Sequence, residues 1–274
     1  MKKILIVFDS GNFSEGAFEF VRCLNEIQPV LVTGVFVAQV DYATLWGYAA
    51  AVEVGAVYYP PVLDEELDIL INIERFEHLC QINGISYRVH KNFLDPALPE
   101  LKKETRFADA IILSGELFYK GVILNNHFAY LKAALHATEC PVLIIPEKYE
   151  FPDNNILAYD GSEESVFAIK QFAYVFPELS KNKTLLVYTD HHKEKDFPDK
   201  ERIIELSTQH FKDLTLYKID LDSKKYFSSW LDSKKGSILV SGSFGRSGVS
   251  QLLKKSFVTD IIKDHKVPVF IAHK

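Results

Sequence analysis

The sequence has few of the residues that build staples and metal sites. Its 274 residues include three cysteines, Cys23, Cys80 and Cys140, scattered without ligand spacing or an even-numbered framework. That pattern excludes a disulfide scaffold and fits a reducing compartment. Excess positive charge is also missing: 31 Lys and Arg stand against 37 Asp and Glu, giving a formal net charge of −6. Such a balance argues against a nucleic-acid backbone or an anionic membrane as the main partner. Long apolar runs are absent as well. The run 4–8 ends at Asp9, too early for a signal-peptide core. The Ala-, Val- and Tyr-rich stretch 42–59 carries Glu53 in its middle, where a bilayer would exact about 2.5–3.5 kcal/mol. The expected location is the cytoplasm.

Catalytic and metal-binding patterns are equally sparse. Ser10, Ser162 and Ser256 have no Gly-x-Ser-x-Gly elbow around them, so nucleophilic catalysis has no support and the chain is not expected to be an enzyme. His191 and His192 are adjacent, point apart and sit in a charged run, which reads as a solvated loop rather than a zinc site. His127 and His136 lie on one expected helix without a neighbouring motif. Cys140 precedes an apolar strand and reads as a small buried residue.

What is present is a repeat. The length suits two domains of moderate size, and 47% hydrophobic with 25% charged residues is enough to bury a core. Two apolar runs end in an acidic turn, at Asp9-Ser10 and at Asp160-Gly161-Ser162. Two more run into a glycine, at Ser114-Gly115 and Ser241-Gly242, and two begin with proline, at Pro141 and Pro268. Gly115 to Pro141 spans 26 positions, as does Gly242 to Pro268. Asp9 to Gly115 spans 106 positions against 82 from Asp160 to Gly242, so the first copy carries 24 extra residues, placed at about 40–63. The expected domains are 1–147 and 154–274, with 146–153 read as a short linker.

Within each copy, continuous apolar strands alternate with amphipathic helices. The first copy reads as strands 3–8, 30–37, 85–90, 109–114 and 141–145, with helices 14–27, 64–82, 97–106 and 126–138. Asn12 and Glu15 have capping-box spacing before the first helix, and Leu67, Leu70, Ile71 and Phe76 suggest the apolar face of the second. The second copy reads as strands 155–160, 183–189, 213–219, 237–242 and 268–272, with helices 162–176, 199–210, 222–234 and 256–265. This pattern implies α/β architecture: two tandem doubly wound domains, each a five-stranded parallel sheet flanked by helices.

In such sheets ligands bind beyond the carboxyl ends of the strands, where the winding direction reverses. There the second copy has Gly242-Ser243-Phe244-Gly245-Arg246, followed by Lys255-Ser256-Phe257 at the start of an expected helix. Glycines let backbone amides approach a ligand, a free helix N-terminus suits an anion, and Arg246 offers a charge-assisted contact to phosphate. This segment resembles the signature of ATP-binding universal stress proteins: Gly, two residues, Gly, nine residues, then Gly and Ser or Thr. Gly242 and Gly245 match the first two glycines and Ser256 the hydroxyl residue, while Lys255 stands where the family has glycine. Three readings of Lys255 stay open: lost proximity to phosphate, replacement of that proximity by a point charge, or a side chain in solvent beside a capping Ser256. Asp160-Gly161-Ser162 resembles the family's opening turn, in which the Asp lines the nucleotide site. Asp9 and Asp160 read equally as turn acceptors, and the ligand reading is put first only for Asp160, which alone has a glycine loop opposite. The closing strands at Val142 and Val269 resemble the family's last strand.

The first copy departs from the pattern. Phe118 stands at the second glycine, Glu116 lies beside the loop, and Phe128-Ala129 replaces Gly-Ser. This copy is therefore not expected to bind ATP through the loop. The resemblance implies a cytoplasmic regulatory protein binding ATP or a related adenine nucleotide in the second copy, with Mg2+ or Mn2+ and weak hydrolysis at most. The alternative is a scaffold or interaction protein with both sites degenerate. It also implies that the two copies pair within the chain through their last strands. The aromatic-rich insertion, with Trp46, Tyr48, Tyr58 and Tyr59, is read as a longer loop completing the core or as a contact surface, between the copies or in a homodimer.

Overall fold

A computed structural model describes residues 1–9, 12–37, 62–92, 102–115, 138–190, 197–220, 230–231, 233–242 and 267–272. Strands form where the apolar runs lie: β1 (Lys2–Asp9), β2 (Val30–Val37), β3 (Ser86–Asn92), β4 (Ala110–Ser114) and β5 (Val142–Ile145). They are followed by β6 (Asn154–Tyr159), β7 (Lys183–Asp190), β8 (Leu214–Asp220), β9 (Ser237–Gly242) and β10 (Val269–Ala272). The helices are α1 (Glu15–Ile27), α2 (Val62–Ile82), α3 (Glu163–Val175) and α4 (Lys200–His210). A short 3-10 turn, Leu179–Lys181, follows α3. Of the other expected helices, 97–106 is helical over 102–105 and 222–234 over 230–231. The helices at 126–138 and 256–265, and the insertion before residue 62, fall on residues outside those described.

All ten strands join one sheet in the order β3-β2-β1-β4-β5-β10-β9-β6-β7-β8. Each run of five is parallel throughout, and the two runs meet at an antiparallel seam, Val269 against Ile144 and Ile271 against Val142. The pairing of last strands thus occurs within the chain. Both seam strands are fully buried, which explains their all-apolar composition: a free edge of that kind would be prone to aggregate.

Successive strand residues face opposite sides, so a strand covered on both faces is apolar throughout. Ile4, Ile6 and Phe8 belong to one core with residues of α1, α2, α3 and α4, while Leu5 and Val7 belong to the core on the other face, with Leu231. The first core runs unbroken across the seam, and Gln28 at the end of α1 donates from Nε2 to the carbonyl of Val175 at the end of α3 (2.9 Å).

Two local readings need correction. The N-cap of α1 is Ser14, whose hydroxyl accepts from the amide of Ala17, and Asn12 lies exposed two residues earlier. In α2 the buried apolar positions among the described side chains are Ile69, Ile73, Phe76 and Cys80, while Leu67, Leu70 and Ile71 are exposed. Both stripes have helical spacing. The Phe76 ring decides between them by meeting Phe8, Phe18, Phe36 and Tyr87.

Candidate functional site

Strand β6 lies between β9 and β7. The chain leaves it through α3 toward β7, while β9 belongs to the opposite side, so the carboxyl ends of β6 and β9 flank a switch point. The parallel register, with Leu157 beside Val240, brings the Asp160-Gly161-Ser162 turn next to Gly242.

The turn is held by its own polar groups. Asp160 Oδ1 accepts from the Ser162 amide (2.9 Å) and from the Ser162 hydroxyl (2.5 Å). Ser162 Oγ accepts in turn from the Ser165 amide (3.2 Å) and caps α3, whose first turn carries Glu163 and Glu164 as the helix dipole favours. The second carboxylate oxygen of Asp160 has no partner among the described residues. Gly161 has φ +83°, a left-handed conformation that favours glycine, and a Cβ there would lie 2.9 Å from Pro198. The Tyr159 hydroxyl ties down the same loop by donating to the Pro198 carbonyl (2.8 Å), and burial pushes the ionisation of this phenol up.

Gly242 has a packing requirement of its own. A Cβ at this position would come within 2.6 Å of the Glu164 carbonyl carbon and 2.7 Å of the Ser165 nitrogen. The close approach observed there is thus to the first turn of α3. Gly245, Arg246, Lys255, Ser256 and Phe257 lie outside the described residues, as do Glu116, Phe118 and Phe128-Ala129 of the first copy. Beside the turn, a cavity of about 480 Å³ opens between α3 and α4. Gly161 and Ser162 line it, with Phe167, Lys170, Arg202 and Ile203. Arg202 is engaged with Asp199 (2.7 Å) at an exposed position.

The N-terminal half has a different arrangement at the equivalent point. Its β1–α1 connection is longer, and Phe13 folds back onto Phe8, the rings stacking at 4.6 Å. The carboxylate of Glu147, from the segment read as a linker, reaches the start of α1. Sequence reasoning missed this residue, because it lies 131 positions from the amide it engages and matches no motif. The side chain of Asp9 lies outside those described.

Among the described residues no group of three His, Cys, Asp or Glu is placed to hold a metal ion, and no helix is long and apolar enough to cross a membrane. Burial raises all three thiols, Cys23 to about 11 and Cys80 and Cys140 to about 12, so none is a thiolate near neutrality.

No family model and no curated protein matches the sequence. Solved structures do. A universal stress protein from Archaeoglobus fulgidus DSM 4304 superposes with a TM-score of 0.65 and 16% identity, covering 99% of this chain and 98% of its own. A chain from Pseudomonas aeruginosa UCBPP-PA14, described as a candidate universal stress protein, gives a TM-score of 0.52 and 12% identity over 100% of this chain and 93% of its own. A protein of unknown function from Pseudomonas aeruginosa PAO1 gives 0.52 and 11%, over 100% of this chain and 92% of its own. The likeness lies in the fold and runs through both halves of the sheet: this chain has the universal stress protein fold, built twice in one polypeptide.

Proposed function

We propose that this chain is a tandem member of the universal stress proteins, with domains at 1–147 and 154–274, and that it acts as a cytoplasmic regulatory protein rather than an enzyme. Its C-terminal half binds ATP or a related adenine nucleotide with Mg2+ or Mn2+. The observation that carries this reading is the placement of Gly242, which opens Gly-Ser-Phe-Gly-Arg, beside the Asp160 turn at the switch point. Asp160 keeps one carboxylate oxygen for a ligand hydroxyl or a divalent cation. In this reading the amides of 242–246 and the start of the helix expected at 256–265 receive the polyphosphate, with Arg246 and Lys255 supplying charge. The donor set fits a metal–nucleotide complex: one carboxylate oxygen is too little for a protein-only Mg2+ site, and phosphates complete such a shell.

A second reading has its own support. Gly242 is already required by packing against α3, and Asp160 already holds the turn. Both residues would then stand in a scaffold that binds no nucleotide. Equilibrium dialysis against ATP with Mg2+ or Mn2+, with nucleotide extracted from the purified protein, separates the two. Nucleotide binding requires submillimolar affinity that falls on Ser256→Ala or Gly245→Val. An absence of bound or copurifying nucleotide leaves the scaffold.

A further inference from the structure

We propose that the carboxylate of Glu147 is a built-in ligand of the N-terminal half: it fills an oxyanion seat at the start of α1 and closes that seat to phosphate-bearing molecules. Among the described residues, three donors reach it. Oε1 accepts from the hydroxyl of Ser14 (2.5 Å) and from that of Ser114 (2.9 Å), and Oε2 accepts from the amide of Gly16 (2.9 Å). The serines come from different elements, the N-cap of α1 and the last residue of β4, and are 0% and 1% exposed. Two buried hydroxyls and a helix amide aimed at one carboxylate are a donor set suited to a phosphate oxygen as well.

The seat is shaped to admit its occupant. Gly16 lies in the first turn of α1, although glycine is a poorer helix former than alanine. Its use is evident from its neighbours: a Cβ would stand 2.3 Å from the Pro146 carbonyl oxygen and 2.7 Å from the Glu147 Cα. The backbone carrying Glu147 can approach only because that atom is missing. Tyr149 fixes the same segment by donating its hydroxyl to the Gly16 carbonyl (3.1 Å), and its ring packs near Phe20. The segment 146–149 is thus latched onto the helix at both of its ends.

The sequence of the C-terminal half differs at the aligned position. Aligning β5 with β10 puts Lys274 where the first copy has Glu147 and Ser241 where it has Ser114. The Ser241 hydroxyl donates to the Gly242 carbonyl (3.2 Å), and that of Ser162, the N-cap, to Asp160. After its last strand, one half carries an acid that neutralises its own helix start, and the other carries a base. This contrast rests on the duplicated fold and does not depend on nucleotide binding by the C-terminal half.

Thermal unfolding of the full chain in sodium phosphate and in sodium chloride of equal ionic strength tests the proposal, with wild type, Glu147→Ala and Glu147→Gln compared. Glu147→Ala is expected to melt lower in chloride. Millimolar phosphate should raise its midpoint in proportion to the logarithm of concentration, beyond any shift in wild type. Glu147→Gln keeps the side-chain shape and leaves the seat filled, so phosphate should not rescue it; if Glu147→Ala fails to fold, Glu147→Ser, which also empties the seat, carries the same comparison. The proposal is overturned if the variants melt like wild type. It is also overturned if the variant with the emptied seat is destabilised equally in both salts, since that would make Glu147 an ordinary cap rather than the occupant of a seat.

Discussion

Replacing Gly242 by alanine separates packing from ligand binding at the switch point. The added Cβ would meet the Glu164 carbonyl carbon at 2.6 Å, the Ser165 nitrogen at 2.7 Å and the Glu164 oxygen at 2.8 Å. Non-bonded heavy atoms prefer about 3.5–4.0 Å, so helix and strand must part by roughly 1 Å. All three atoms are backbone and cannot rotate away. The helix that must move, α3, buries Ala168, Ile169, Phe172 and Ala173 against the sheet. Overpacking typically costs about 1–3 kcal/mol, and a rigid obstacle of this kind belongs near the upper end. In a chain of this size that corresponds to a fall in Tm of roughly 5–10 °C. Urea unfolding followed by circular dichroism should show a lower midpoint with an unchanged slope. A Gly242→Ala variant that melts like the parent yet no longer binds ATP would refute the packing argument and assign the glycine to the ligand.

Two further outcomes follow from the cores. Phe76→Ala removes a ring that meets four other aromatic rings and is 0% exposed. It should cost about 3–5 kcal/mol by urea unfolding, whereas Ile71→Ala on the same helix, at 53% exposure, should be nearly neutral. The Cys80 and Cys140 thiols, pushed up from 9.0 to about 12 by burial, keep their protons longer in the folded state than in the unfolded one. Their contribution is therefore complete below pH 9 and is lost as pH rises toward 12. The urea midpoint should fall over that window and fall less in a Cys80→Ala/Cys140→Ala variant; identical slopes would count against the burial argument.

The strands were legible because a sheet buried on both faces demands continuous apolar runs, and 30–37 and 237–242 match β2 and β9 residue for residue. The repeat was legible because the spacing from Gly115 to Pro141 recurs from Gly242 to Pro268. Errors arose where two local patterns competed. Asn12 and Ser14 both offer a cap, and only the longer turn that stacks Phe13 on Phe8 selects Ser14. In α2, two apolar stripes share one helix and tertiary contact chooses between them. The role of Glu147 could not be read at all, since a contact spanning 131 positions leaves no local trace. Gly242 reads in the sequence as a close-approach glycine, and in the structure the first turn of α3 comes close to it.

Isothermal titration of the full chain with ATP in the presence of Mg2+ tests the account most directly, because it counts sites. One ATP per chain is predicted, taken by the C-terminal half while Glu147 closes the other. A stoichiometry of two would show the N-terminal crevice to be open, and no heat of binding at any accessible concentration would contradict the assignment of a nucleotide to this fold.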